Sequence, residues 1–167
     1  MKKHKLITDN FLRLSGSLTA GSATGQAITT TANSTNVVDL SLARDIGEGK
    51  ELYVQFTVGT AFTAGGSATL TPTIVVSSAD TLATSPITIG TSGTIAVASL
   101  IAGYTFVIRL NPQLFGSTTT VSSLGARYLG AVYTVATGPM TAGTITADIV
   151  TDIQDGKKFY ASGFSVT

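Results

Sequence analysis

Apolar and polar side chains alternate along several stretches of the chain, which is the pattern of a strand with one buried face. In residues 128–137 the apolar members of one face are Leu129, Ala131, Tyr133 and Val135. Residues 144–150 alternate in the same way, with Ile145 and Ile149 on one face. Between these two runs lie two glycines and a proline, which favour turn conformations. The sequence therefore predicts a hairpin within residues 127–155.

A second hairpin is predicted within residues 53–71, and its tip resembles the tip of the first. The segment TVGTAFTAG at 57–65 matches TVATGPMTAG at 134–143 apart from one inserted proline and three substitutions. Each tip carries a large apolar residue before Thr-Ala-Gly, Phe62 in one and Met140 in the other. Two such hairpins indicate a double Greek-key sandwich or, alternatively, two separate uses of one favourable turn sequence.

The complete pattern predicts about eight strands at the spacing typical of a β-sandwich or barrel. The predicted strands are 37–42, 52–59, 68–77, 87–89, 94–98, 105–110, 128–137 and 144–150. Pro72 lacks an N–H group, so its strand should lie at an edge or contain a bulge. No window of a dozen residues combines helical periodicity with plausible caps. The residues expected in the core are Val54, Phe56, Phe106, Ile108, Tyr133, Val135, Ile145 and Ile149.

Residues 1–34 are predicted to form an N-terminal arm that precedes a single β domain at residues 35–167. The arm begins with basic residues and a short apolar cluster that includes Phe11 and Leu14. Residues 15–34 are rich in Ser, Thr, Ala and Gly, which is typical of a linker or extended segment. The closing residues contain Phe159 and Phe164 and are too apolar for a free tail, so we expect them to pack on the core or on another subunit.

Charge is scarce in this chain, because only 11% of the 167 residues are Asp, Glu, Lys or Arg. Thr, Ser, Gly and Ala replace the charged residues, so the outer strand faces are expected to be polar but neutral. Such a surface suits a subunit that packs against neighbours. Residues 1–13 carry four positive charges and one negative, a net +3, whereas 14–167 carry six positive and eight negative, a net −2. The basic arm indicates an acidic partner surface or, equally, a solvated terminus.

The residue types needed for most enzymatic chemistry are missing. The chain has no cysteine, and its single histidine, His4, lies in the arm, which nearly excludes Ser-His-Asp and Cys-His sites. Asp148 and Asp152 share one strand face and could bind a hard cation, but a solvated strand end explains them better. We expect Arg109 or Arg127 to pair with one of these carboxylates. No enzymatic activity, cofactor or metal is therefore expected.

Nucleic-acid and membrane partners are also not expected. Basic residues do not cluster with aromatic ones outside the arm. No apolar run reaches the ~18 residues of a membrane span. Residues 6–14 are interrupted by Asp9, Asn10 and Arg13, so they lack the apolar centre of a signal peptide. The sequence is that of a soluble protein made in a cytosol.

With its strands laid out, the chain resembles the jelly-roll cement proteins of tailed bacteriophage capsids, of the Bordetella-phage type. The resemblance covers about four-fifths of the chain, from Thr35 to the C-terminus. It is carried by the ordered segments 36–71, 102–112, 127–135, 141–155 and 160–166. It implies an antiparallel two-sheet jelly-roll sandwich on the outer capsid surface of the virion, which clamps neighbouring major capsid subunits. Residues 1–34 depart from this pattern, because the arm is longer than expected.

The resemblance and the composition together name the expected partners, the major capsid protein and further copies of this chain in a dimer or trimer. The candidate contact residues are Lys2, Lys3, Lys5, Phe11, Arg13, Phe159 and Phe164. Two alternatives stay open. A receptor- or glycan-binding jelly roll of a tail fibre should expose aromatic residues in its loops, which here are mostly Gly, Thr and Ser. An enzyme on a β-sandwich or cupin-like barrel would need a cluster of His and carboxylates.

Overall fold

A computed structural model describes residues 10–19, 22–40, 51–110 and 127–151. The regular structure of these ranges is β-strand, apart from two three-residue 3-10 helices at Asn10–Leu12 and Val97–Ser99. The strands are β1 Arg13–Ser15, β2 Ser17–Thr19, β3 Ser22–Thr24, β4 Gln26–Ala27, β5 Ala32–Asn33, β6 Val38–Asp39, β7 Leu52–Val58, β8 Thr63–Ala64, β9 Thr69–Ser77, β10 Ile87–Thr91, β11 Ile95–Ala96, β12 Thr105–Leu110, β13 Tyr128–Ala136, β14 Met140–Ala142 and β15 Thr144–Val150.

The long strands form two antiparallel sheets that enclose one core. Sheet I has the order β1-β15-β7-β12, and β4 pairs with β15 on the same edge as β1. Sheet II has the order β10-β9-β13-β5, with β11 beside β9 and β6 beside β13. Two short pairs, β8 with β14 and β2 with β3, lie outside these sheets. The prediction of an all-β sandwich is confirmed.

The predicted core is also confirmed, because the alternating apolar residues point inward from both sheets. Val54, Phe56, Ile108, Tyr133 and Ile145 are buried, and Phe106, Val135 and Ile149 are partly buried against them. The ring of Phe56 stacks on Phe106 within sheet I, with centroids 4.8 Å apart. The same ring meets the edge of Tyr133 in sheet II at 6.2 Å, so one aromatic side chain joins the two sheets.

Both predicted hairpins are wrong, although their strands are present. β7 pairs with β15 and β12, whereas β9 pairs with β13, β10 and β11, so each predicted hairpin has one strand in each sheet. Phe62 lies in the connection from β7 to β9, and Met140 lies in the connection from β13 to β15. Both side chains are buried, so these connections cross the end of the core and do not form tight turns. The two similar tips then pair with each other through β8 and β14. Their shared sequence therefore corresponds to two crossings that lie side by side.

Gly143, between β14 and β15, allows the two connections to pack closely against each other. Gly143 has φ +141°, a conformation that side-chain-bearing residues rarely adopt. A Cβ atom at this position would lie 2.2 Å from Cδ1 of Phe62, so the ring of one connection occupies the space that Gly143 leaves empty in the other. The two crossings thus pack as one unit.

The predicted linker at residues 15–34 differs from the structure. Its described part contributes β4 to sheet I and β5 to sheet II, and Ile28 is fully buried. β1, which precedes it, lies in sheet I with Leu14 fully buried. These segments are two or three residues long, too short to show a period in sequence, so tertiary pairing decides their state. Residues 1–9 lie outside the described ranges.

Two smaller predictions are also modified. The strand expected at 37–42 is only Val38–Asp39 in the described residues. Pro72 lies in β9, which is a central strand, but β10 pairs with β9 at residues 73–76 and β11 pairs at 69–70. Pro72 therefore faces the gap between two partner strands, where its carbonyl accepts a hydrogen bond from the Ser92 backbone N–H at 3.1 Å. A missing N–H is tolerated at such a gap.

Candidate docking surface

The seven candidate contact residues fall into three groups in the structure. Lys2, Lys3, Lys5, Phe159 and Phe164 lie outside the described residues, so their roles stay predictions. Phe11 is 87% exposed, in the 3-10 helix that leads into β1. Arg13 is only 2% exposed, so little of its side chain is accessible to a partner.

Arg13 is buried because it forms an ion pair within the protein. Its Nε donates to Oδ1 of Asp148 at 2.7 Å and its Nη2 donates to Oδ2 at 3.1 Å. A third bond runs from Nη1 to the backbone carbonyl of Ser17 at 3.2 Å. Two parallel bonds to one carboxylate match the planar guanidinium geometry, which makes a buried pair tolerable. The pair joins β1 to β15 on the outer face of sheet I.

The other predicted charge pairings are corrected by the same finding. Asp148 is not at a solvated strand end, and Arg109 and Arg127 do not bind it. Arg109 pairs with Glu51, and Arg127 donates to Asp39 with an Nη2–Oδ2 distance of 2.6 Å. Sequence periodicity could not find the partner of Asp148, since 135 residues separate it from Arg13.

Behind the ion pair, the inner side of β1 carries a second polar contact. The hydroxyls of Ser15 and Tyr133 lie 2.5 Å apart, and both residues are fully buried. Burial raises the pKa of Tyr133 above its ordinary value because a phenolate would be desolvated in the core. β1 is therefore held on both faces, by charge outside and by a hydroxyl pair inside.

Most of the charged side chains in the described ranges gather at one end of the sandwich, where β7 begins and where β12 and β15 end. Glu51 contacts both Arg109 and the hydroxyl of Tyr53, and its hydrogen bond raises the pKa of Tyr53. The bonds to Asp39 raise the pKa of Arg127, whose guanidinium lies 5.1 Å from the ring centroid of Tyr128. These ion pairs are exposed, so each contributes little stability.

The opposite end of the sandwich carries no charged residue in the described chain. It consists of residues 59–68, 97–104 and 137–143, together with 25–31. Hydroxyls replace charges there, as in the contact of 2.7 Å between Thr63 Oγ1 and Thr141 Oγ1. An uncharged protein surface can dock on this end without desolvating ions.

Large exposed apolar side chains of the described ranges occur at the two edges of sheet I. Phe11 and Leu12 lie beside β1, and Ile101, Tyr104 and Val107 lie on β12 and the turn before it. Ile101 is 62% exposed, and the turn is closed by a hydrogen bond from the Tyr104 N–H to its carbonyl. The sequence pattern indicated Phe11 as a contact residue but gave no signal for Ile101 and Tyr104. Val107 alternates in sequence with the inward-facing Phe106 and Ile108, which was the available signal for its exposure.

Within the described residues there is no group of three or more His, Cys, Asp or Glu that could hold a metal ion. Every buried side-chain nitrogen and oxygen there has a hydrogen-bond partner, so none is directed at a missing ligand. Across the same ranges, no helix is long and apolar enough to span a membrane.

Comparison with known protein families gives a match over most of the chain. A family model described as Bbp16 matches residues 22–149, which are 128 of the 167 residues. The matched range begins at β3 and includes every later strand of both sheets except the last residue of β15. No curated protein matches the chain significantly. The chain belongs to the Bbp16 family, a family of Bordetella phage proteins.

Proposed function

We propose that this protein is a capsid cement, or decoration, protein of a tailed phage, which binds the outer surface of the head and clamps neighbouring major capsid subunits. The observation that carries the proposal is the placement of exposed apolar side chains at opposite edges of sheet I. A clamp needs two separated contact regions on one rigid body. β1 and β12 are three strand spacings apart, about 14 Å, and the sheet between them is continuous.

The strand order supports a jelly roll as the fold of this clamp. If β1 with β4, β5 with β6, and β10 with β11 each count as one position, the sandwich has eight positions, four in each sheet. Successive positions alternate between the sheets except at the step from β9 to β10, where both lie in sheet II. Two Greek keys wound into a jelly roll would give this alternation, which supports the proposed fold.

The physical basis of cementing is mass action. A protein that binds the assembled shell and not the free capsid subunits stabilises the shell by its binding free energy. Many copies act together on one head, so each interface can be modest in area. A charge-poor surface suits this role, because few ions lose their hydration on docking. The protein would be made in the host cytoplasm and would function in the virion.

Self-association belongs to the same proposal. A dimer or trimer would place several clamps around one symmetry axis of the shell and would bury part of the charge-poor surface. We expect light scattering at micromolar concentration to give the mass of a small closed oligomer. A strictly monomeric mass would contradict this part of the proposal.

The decisive experiment is a titration of the purified protein onto undecorated capsids, followed by sedimentation. We expect saturable binding and a higher temperature of capsid disruption after decoration. Capsids that already carry the protein serve as the control, because their sites are occupied. Absence of binding would refute the cement function, and binding to a host-cell glycan instead would favour the tail-fibre alternative.

A further inference from the structure

We propose that the outer edge of β12, at Thr105 and Val107, receives an extended and uncharged strand from a partner protein. The strand would add to sheet I through backbone hydrogen bonds. This inference rests on the proposed function for the partner's identity, which would be a subunit of the capsid shell. It goes further in assigning the contact to one edge and in stating the kind of bonding that forms it.

The first argument is the direction of the backbone groups of β12. The Val58 N–H donates to the Tyr104 carbonyl at 2.9 Å, and the Val58 carbonyl accepts from the Gly103 N–H at 2.8 Å, so the backbone groups of Val58 point toward β12 at the start of the ladder. Antiparallel pairs alternate, and the continuous register Thr105 to Thr57 and Phe106 to Phe56 makes Phe106 the next bonded residue. The N–H and C=O groups of Thr105 and Val107 therefore point away from β7, toward the edge.

The second argument is that β12, from Thr105 to Val107, lacks the prolines, register shifts and charges that usually protect an edge strand. β12 pairs with β7 over all six residues in unbroken register and contains no proline. By contrast, the β1 edge has a register shift, and so does the pairing of β10 with β9. The one charge on β12, Arg109, is held by Glu51. A regular edge whose accessible half, at Thr105 and Val107, carries no charge is a template for another strand.

The third argument limits the accessible part of the edge. Gly90 of β10 approaches the far half of β12, where an added Cβ would lie 3.4 Å from the Arg109 carbonyl oxygen and 2.5 Å from Cγ2 of Ile108. β10 of sheet II thus lies beside this half of β12. The near half stays open, and the exposed Ile101, Tyr104 and Val107 are grouped around it.

These observations determine the chemistry of the partner segment. The free N–H and C=O groups of Thr105 and Val107 require a backbone in extended conformation, which is recognition by β-strand addition. The absence of any charge in residues 81–108 favours neutral side chains on the incoming strand. Its apolar side chains would pack against Val107 and the Ile101–Tyr104 turn.

The test uses two substitutions at Val107 and one matched control. Val107→Pro removes an N–H that points outward and leaves the bonds to β7 in place, since proline is tolerated on edge strands. Val107→Lys places a charge beside the incoming strand and keeps the N–H, so it remains informative if the proline variant does not fold. Thr134→Lys is the control, because it adds the same charge at an exposed strand position in sheet II.

Each full-length variant is titrated onto undecorated capsids after thermal unfolding has shown that it folds. We expect the variants at Val107 to bind about tenfold more weakly or worse, and Thr134→Lys to bind like the unaltered protein. Equal binding by all folded variants would overturn the edge inference and leave the cement function intact. If the unaltered protein does not bind capsids, the cement function fails and the edge inference fails with it.

Discussion

Arg13 and Asp148 form a buried ion pair that ties the first sheet strand to the last across 135 residues of sequence. The two side chains lie on the outer face of sheet I, where alternation would place exposed residues, yet both are buried. The pair therefore attaches β1 to β15 at the edge of sheet I, next to the exposed Phe11.

Breaking this pair on one side should destabilise the protein strongly. Arg13→Ala leaves the Asp148 carboxylate buried without a counter-charge, and we expect a loss of about 3–5 kcal/mol in the free energy of unfolding. The measurement is denaturant unfolding of the purified variant. The double variant Arg13→Met with Asp148→Leu should lose less than Arg13→Ala, because it leaves no charge behind. A single variant within about 0.5 kcal/mol of the unaltered protein would contradict the structural role of the pair.

Substitution of Gly143 should test the packing of the two crossings. Gly143→Ala combines a strained φ with a collision against the Phe62 ring, and we expect a loss of about 2–4 kcal/mol. Gly138→Ala is the matched control, because Gly138 also has positive φ, +108°, but open space around its Cβ direction. It should lose only about 1 kcal/mol. Equal losses in thermal or denaturant unfolding would show that the contact with Phe62 contributes nothing.

Tyr133 should make the protein sensitive to alkaline pH. Its pKa is raised in the folded state by burial, so its contribution to stability is complete below the unfolded pKa of about 10 and is lost as pH rises through the higher folded value. We expect the free energy of unfolding to fall above about pH 10. Tyr133→Phe should weaken this fall, at a cost of about 1 kcal/mol at neutral pH from the lost contact with Ser15. Identical alkaline slopes for the two proteins would contradict the assignment.

The basic N-terminus should contribute to capsid binding through charge. Deletion of residues 1–9 removes Lys2, Lys3 and Lys5 and preserves β1 and the Arg13 pair. If the arm contacts an acidic shell surface, the shortened protein should bind undecorated capsids more weakly and with less dependence on salt. Titrations at two salt concentrations make the comparison. Unchanged affinity and unchanged salt dependence would show that these residues are a solvated terminus.

Chelation should leave the stability of the protein unchanged. Asp148 is occupied by Arg13, which removes it as a ligand for the cation site considered with Asp152. We expect the midpoint of thermal unfolding to be the same with and without chelator. A drop that added calcium reverses would show a metal site and contradict this expectation.

The amino-acid sequence determined the long strands and the inward face of each one. A period of two assigns the core directly, and Val54, Phe56, Tyr133 and Ile145 are buried where alternation places them. The short segments β1, β4 and β5 escaped this reasoning because they are too brief to show a period. Sequence also excluded thiol chemistry and named Phe11 as a candidate contact residue.

Only the tertiary structure decided which strands are neighbours. Alternation predicts which face of a strand is buried. It does not predict which strands pair, because the backbone groups of β7 are the same whether β9 or β15 lies beside it. Phe62 and Met140 are buried, and the connections that contain them cross from one sheet to the other. The two strands of each predicted hairpin therefore lie in different sheets. The partner of Asp148 and the open edge of β12 followed from the same long-range pairing. Loop-closure entropy grows slowly with separation, so contacts across 135 residues can be selected by packing alone.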